Sequence, residues 1–302
     1  MKKQGITFII IIIFVGVLFW QFDLVEILHR FVEIPLWIIL FLLISQVFTQ
    51  GLLAVNGQRF AYLLNIPITL KQMIYINCKS SVVGFFTPSA KVGGEVCRAY
   101  LLHRYTSRPL TQTSIMVATQ KLMSLVVFAF FIIVSLPFIL RDAQFIINNP
   151  FNFHLLSILF LVLVFVAILY AEKALKIVTS FARSVSLLFK QPRQLFILLA
   201  QTTIIWLLYP IKLYVLMLAF SSDFSFLQMT AIVLSAYAVA MLPIFPGGVG
   251  GFEPVMIGLL VTGGIDLADA VVVTLILRFT TFWLVAFVSF LYVTLLKKPF
   301  VI

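Results

Sequence analysis

Met241-Leu242-Pro243-Ile244-Phe245-Pro246-Gly247-Gly248-Val249-Gly250-Gly251-Phe252-Glu253 interrupts an otherwise apolar run. No continuous helix accommodates it, because proline removes a backbone donor and glycine relaxes the chain. A second stretch ends its apolar run in the same way: Val82-Val83-Gly84-Phe85-Phe86-Thr87-Pro88-Ser89-Ala90-Lys91-Val92-Gly93-Gly94-Glu95. Both pass in order through Pro, a Gly pair and Glu. Broken backbone at membrane depth is tolerated only where protein buries it or where it lines a cavity. Two such breaks at corresponding places in two halves point to a substrate site where they meet. Pro88, Gly93 and Gly94 are read as breaking the first hairpin, and Pro246, Gly247, Gly248, Gly250 and Gly251 as breaking the second.

The surrounding chain places these breaks in a bilayer. Of 302 residues, 63% are hydrophobic and 10% charged, a balance that excludes a soluble domain. A spanning helix needs about 20 apolar residues, and full spans are read at about 6–22, 34–55, 113–138, 153–171, 194–219 and 270–296. No hydrophilic stretch suffices for a second domain, so residues 1–302 are expected to form one membrane domain. Lys2-Lys3 and the apolar run Ile6 to Trp20 mimic a secretion signal. No small-x-small site follows them, and the run is read as a retained anchor. Cys78 and Cys97 with His29, His103 and His154 form no metal constellation, so neither metal nor cofactor is expected. The net charge of +11 falls in short clusters at helix ends. That is the positive-inside pattern of a polytopic protein, not a nucleic-acid surface.

Charge also decides what the broken segments do. If 72–88 crossed fully, Lys91, Arg98, Arg104 and Arg108 would all be external. If the hairpin dips in and returns, they stay cytoplasmic with Arg59 and Lys71. A second hairpin from the opposite face keeps Asp223, Asp266 and Asp269 outside and Lys297-Lys298 inside. The expected fold is therefore an all-α polytopic membrane protein of six transmembrane helices plus two re-entrant hairpins, arranged as an inverted repeat. The first half, about 1–140, holds an inner hairpin at 72–102; the second, about 150–302, holds an outer hairpin at 227–264. Gly263-Gly264 is read instead as a small-residue contact between helices. Glu172 to Pro192, basic among apolar residues, reads as an amphipathic helix on the inner surface. Both termini are expected in the cytoplasm of a multi-pass cell-membrane protein.

Charges inside the spans mark the candidate site. A charge at the bilayer centre costs at least about 2.5–3.5 kcal/mol and faces the protein interior. At 1.5 Å per residue, Lys121 lies roughly 12 Å from the cytoplasmic end of its span, and Lys212 and Arg278 roughly as far from the external ends of theirs. The bland alternative for each lysine is a chain that snorkels to water. Thr274, Arg278, Thr281 and Ser289 share one helical stripe, and Ser114, Lys121 and Ser124 share another. Two half-sites emerge: Lys91, Glu95, Arg98 and Lys121 at the inner hairpin, and Lys212, Glu253 and Arg278 at the outer one. Basic groups beside half-helix N-termini suit a phosphate.

These residues resemble the transmembrane domain of lysylphosphatidylglycerol synthase, the flippase-like integral membrane proteins. Gly57-Gln58-Arg59-Phe60-Ala61-Tyr62-Leu63-Leu64 looks like that family's Arg-aromatic-x-x-Leu-Leu, and Pro88 through Gly93-Gly94-Glu95 to Arg98-Ala99-Tyr100-Leu101-Leu102 is similar to its first Pro-Gly motif. Pro246-Gly247-Gly248-Val249-Gly250 to Glu253 resembles the second, and Arg278 with Phe282-Trp283 its final arginine and aromatic pair. Gln120-Lys121 departs from the family's Glu-Arg: the positive charge is kept and the carboxylate is lost. Full-length members add a soluble aminoacyl-transferase domain, and this sequence reads as a stand-alone membrane part. The resemblance therefore implies lipid translocation and not lysyl transfer.

Three functions follow as expectations. The first is a flippase or transporter, not an enzyme, moving a phospholipid or polyprenyl-phosphate-linked lipid between leaflets, with homo-oligomerisation open. No Gly-x-x-x-x-Gly-Lys-[Ser/Thr] loop is present to bind ATP. The second is a membrane-embedded transferase, for which Asp266 and Asp269 are the nearest carboxylate pair; their plain reading is a helix N-cap and a first-turn acid. The third is a non-transporting partner subunit of cell-envelope lipid enzymes.

Overall fold

The computed structural model describes residues 24–87, 92–140, 190–220, 222–242 and 245–295. Every regular element among them is helical: α1 (Leu24–Val32), α2 (Leu36–Leu63), α3 (Leu70–Phe86), α4 (Val92–Thr106), α5 (Leu110–Leu140), α6 (Pro192–Met217), α7 (Phe226–Ala240), α8 (Phe252–Thr262) and α9 (Leu267–Leu295). The spans expected at 6–22 and 153–171 lie outside the described residues, as do Pro88, Lys91 and the inner-surface helix up to residue 189.

α2, α5, α6 and α9 are each long and apolar enough to cross a membrane, and they match the runs read at 34–55, 113–138, 194–219 and 270–296. Their outward faces carry exposed apolar side chains, among them Ile44, Val47 and Phe48 on α2, Phe130 and Ile133 on α5, and Phe287 and Val288 on α9. Surfaces of that kind suit lipid and not water. The chain is a multi-pass membrane protein.

The remaining helices, α1 aside, come in two short pairs. α3 and α4, of 17 and 15 residues, pack on each other across the first break. α7 and α8, of 15 and 11 residues, do so across the second. At 1.5 Å per residue these lengths give about 16–26 Å, short of the roughly 30 Å hydrocarbon core. Both pairs open with the same device. Thr69 and Gln72 cap α3 reciprocally, side chain to backbone in each direction, and Ser225 and Gln228 do the same for α7. Each pair also has its own core. Met73, Ile76, Ala99 and Leu102 of α3–α4 pack with Phe60 and Met116, whereas Ile232, Phe252 and Met256 of α7–α8 pack with Leu42, Leu213 and Leu277.

The glycines divide by task. In the second break Gly247, Gly248 and Gly250 take φ of 60°, 76° and 83°, the left-handed backbone that reverses the chain between α7 and α8. Gly251 does not: at φ −105° it is the N-cap of α8, lying against the Phe245 ring. Gly93 and Gly94 also differ from expectation, since both lie in the first turn of α4 and not in the break. A Cβ on Gly94 would sit 2.6 Å from the Ser80 carbonyl oxygen and 3.2 Å from Gly84 Cα, so its task is a close crossing of α3. Gly263-Gly264 divides between two tasks. Ile265 N–H donates to Leu260 O at 3.1 Å and Gly264 N–H to Val261 O at 3.0 Å, with Gly264 at φ 94°. Gly264 thus ends the helix, while Gly263 makes the expected close contact: a Cβ there would run into the Phe224 ring just before α7.

Candidate functional site

Arg278 lies mid-way along α9 with Thr274 and Ser289 buried on its face, as the polar stripe required. Its side chain is 3% exposed, and its Nε donates to Glu253 Oε1 at 3.0 Å, a carboxylate only 8% exposed. Glu253 stands in the first turn of α8, where the helix dipole favours a negative charge. Its second oxygen accepts the Gly250 N–H at 2.8 Å. Arg278 Nη2 donates to the Gly247 carbonyl at 3.0 Å. The guanidinium is also held between two rings, 4.9 Å from Phe252 and 4.2 Å from Phe282. One arginine thus fastens the loop, the helix after it and the carboxylate between them.

Two backbone features make room for this. α9 widens into a π-turn over Phe279–Trp283, directly after Arg278, which re-aims the aromatic side chains that follow. Gly248 passes so close that a Cβ there would lie 3.1 Å from Arg278 Nη2 and 3.0 Å from Ala240. The first hairpin reaches the same place. Phe85, at the end of α3, stacks on Phe282 with centroids 5.3 Å apart and meets Trp283 edge-on at 5.4 Å. The Phe85 carbonyl oxygen is 3.5 Å from where a Gly247 Cβ would stand. The two breaks therefore touch.

Lys212, expected beside Arg278 and Glu253, is not in that pair. It is wholly buried, and its Nζ donates to Gln46 Oε1 at 2.7 Å and Thr49 Oγ1 at 2.9 Å on α2. Rings separate it from Arg278. Tyr209 lies beneath Lys212 and 4.8 Å from Tyr237; Tyr237 lies 4.8 Å from Phe252. The Tyr237 hydroxyl donates to Thr281 at 2.9 Å.

Three of the residues expected in the inner half-site, Glu95, Arg98 and Lys121, lie near one another as a looser group. Glu95 lies 3.8 Å from Arg98 and 4.0 Å from Lys121, with the three side chains 32%, 13% and 39% exposed. Those separations are ionic contacts beyond direct hydrogen-bond length. Arg98 runs past Gly57, where a Cβ would meet its Nη2 at 2.6 Å, and its Nε is buried with no partner among the described residues. Gln120, beside Lys121, points elsewhere: its Nε2 donates to Asn56 Oδ1 at 2.8 Å. Asn56 in turn faces Leu198 O and Thr202 Oγ1 of α6 at 3.4 and 3.5 Å.

Asp266 caps α9, accepting the Ala268 N–H at 3.0 Å, and Asp269 lies 3.6 Å from Arg30. Both therefore take the plain role. Among the described residues no group of three or more His, Cys, Asp or Glu could hold a metal ion. The polar partners on α2 were missed, although Gln46, Thr49 and Asn56 repeat at helical spacing along one face.

Comparison with known proteins places this architecture. The sequence model of the family described as Lysylphosphatidylglycerol synthase TM region matches residues 5–289. A UPF0104 membrane protein of Methanothermobacter thermautotrophicus is 24% identical over 231 residues, 66% of this chain and 68% of that protein. A UPF0104 membrane protein of Pyrococcus horikoshii is 32% identical over 113 residues, 37% of this chain and 34% of the relative. The matched region thus spans about a third of the Pyrococcus relative's length. No solved structure matches the chain.

Proposed function

We propose a lipid-translocating role, and its premise is family: the chain belongs to the lysylphosphatidylglycerol synthase transmembrane-region family. In this reading the cargo is a phospholipid or a polyprenyl-phosphate-linked lipid. Its headgroup passes between the helices while its chains stay in the bilayer. The pairs α3–α4 and α7–α8 act as re-entrant hairpins from opposite faces, meeting near the midplane as an inverted repeat. The observation that carries the reading is Arg278, a buried arginine bound to the backbone of one break and stacked on the ring that touches the other.

A charged headgroup meets a barrier because it must leave water. Replacing that water takes donors at more than one depth. The loosely paired cations Arg98 and Lys121 suit an anion, and the α4 N-terminus adds partial positive charge. The Arg278 group is closed. A phosphate arriving there competes with Glu253 and the Gly247 carbonyl for the same guanidinium, so its binding loosens the second break. Opening on one side and closing on the other follow from that competition. With no phosphate loop for ATP, movement runs down a lipid gradient or is coupled to an ion.

Purified protein reconstituted into liposomes with fluorescent lipids tests this. Headgroups should reach an impermeant quencher faster than in empty liposomes, and faster for lipids that bear a phosphate. If no anionic or polyprenyl-linked lipid moves faster than in empty liposomes, even under imposed ion gradients, the reading is wrong.

A further inference from the structure

Between α2 and α6 lies a charge that this lipid path does not use. Lys212 donates to two neutral oxygens, of Gln46 and Thr49, and its Nζ lies 5.1 Å from the Tyr209 ring centroid. No carboxylate pairs with it among the described residues. Charges on the elements packed against α6 are engaged elsewhere: Lys121 of α5 with Glu95, Arg278 of α9 with Glu253, and Asp269 of α9 with Arg30. From α7 comes only Tyr237, against Tyr209. Arg59 of α2 is ten residues beyond Thr49, about 15 Å along the helix. An ammonium held at this depth by neutral groups alone is costly, unless the site also serves the neutral amine.

The surroundings serve both. A neutral amine keeps two donors and gains a lone pair that needs a donor. Gln46 carries one unused: its Nε2 is buried without a partner while its Oε1 holds the ammonium. Half a turn of that carboxamide exchanges acceptor for donor. Thr49 has the same freedom. Its hydroxyl now accepts from Lys212 and donates to Ser45 O at 2.7 Å, and rotation turns the proton toward the amine.

Separate polar contacts also line the seam between α2, α5 and α6. Gln120, next to Lys121, bonds to Asn56, and Asn56 faces Thr202; one turn further along α6, Trp206 donates to Ser124 at 3.0 Å. Gln120 Oε1 and Gln201 Oε1 are buried and unpaired. Orphaned buried polar atoms are where ordered waters bind. Beyond Lys212, Tyr209, Tyr237 and Phe252 form a run of ring contacts that ends at Arg278.

We infer that Lys212 is a proton-binding site that alternates between ammonium and amine, and that this exchange is linked to lipid movement. One proton from water joins the amine lone pair, and the same proton returns to water when the ammonium releases it. The linkage rests on the lipid-translocation reading; the proton site does not.

Lysine labelled with 15N at Nζ, followed by NMR of the whole protein in detergent, tests the site. One signal, absent in Lys212→Met, should move between ammonium and amine positions at a pH distinct from the other lysines. Gln46→Glu should hold it as ammonium by supplying a carboxylate, and gives a second variant if Lys212→Met fails to fold. A Lys212 signal that never titrates overturns the proton site. In liposomes, a proton gradient should speed lipid movement several-fold for the native protein and not for Gln46→Glu. Lipid movement indifferent to the gradient overturns the linkage. Should no lipid move under any condition, the translocation reading fails, and the NMR titration alone decides the proton site.

Discussion

Phe85 and Phe282 stack with ring centroids 5.3 Å apart and planes 25° from parallel, although they belong to different halves of the chain. Phe282 is also the ring over which the Arg278 guanidinium lies, at 4.2 Å. The tip of α3 therefore rests on the arginine that fastens the other break. Each aromatic pair of this kind is worth about 0.5–1.5 kcal/mol beyond simple burial. Two such pairs join Phe85 to α9, with Phe282 and Trp283.

Phe85→Ala removes both contacts without touching a charge. Stability should fall by about 1–3 kcal/mol, read as a lower midpoint of unfolding in detergent. Lipid movement should fall further than in Phe85→Trp, which keeps a ring. Equal rates for the two variants would show that contact between the breaks is irrelevant to transport.

Arg278→Ala leaves the Glu253 carboxylate buried with only the Gly250 N–H to hold it. Breaking a buried pair from one side costs about 3–5 kcal/mol. Adding Glu253→Gln should recover much of that stability and none of the transport. Arg278→Lys should recover part of each, because an ammonium lacks the fork that reaches carboxylate and carbonyl together. A double-mutant cycle on unfolding midpoints, run beside the liposome assay, separates the two outcomes. Full transport by the alanine variant would remove Arg278 from the path.

Gly248 and Gly264 make a controlled comparison. Both have positive φ, 76° and 94°, but a Cβ on Gly264 meets open space while one on Gly248 meets Ala240 and Arg278. Gly264→Ala should cost only the backbone strain, about 1–2 kcal/mol. Gly248→Ala carries that strain and also displaces the guanidinium, so it alone should abolish lipid movement. Similar loss in both variants would mean that strain, and not the arginine, sets activity.

Re-entry is tested by single cysteines at Arg104 and Asp223 in a chain whose Cys78 and Cys97 are serine. Impermeant maleimide added to intact cells should label position 223 and spare position 104. Labelling at 104 would turn α3–α4 into a crossing segment and remove the opposed hairpins from the mechanism.

The breaks were legible because proline and glycine act locally, and Pro-Gly-Gly inside an apolar run allows little else. Arg278 and Glu253 were legible as neighbours at one depth because depth along each helix is simple arithmetic. Lys212 was misplaced because depth does not say which neighbour a face meets; its partners on α2 lie 163 and 166 residues away in sequence. Gly93 and Gly94 were misread because a glycine pair serves a chain reversal and a close crossing equally well. Phe85 gave no signal at all, being one of 32 phenylalanines.

The close crossing at Gly94 ties α3 and α4 together, backbone against backbone. With the Ser80 carbonyl and Gly84 Cα against the α4 backbone, α3 and α4 have no slack to slide past each other, so they tilt as one stiff lever. The other pair is joined through three residues of left-handed backbone held by Glu253 and Arg278, so that turn moves only when those bonds give.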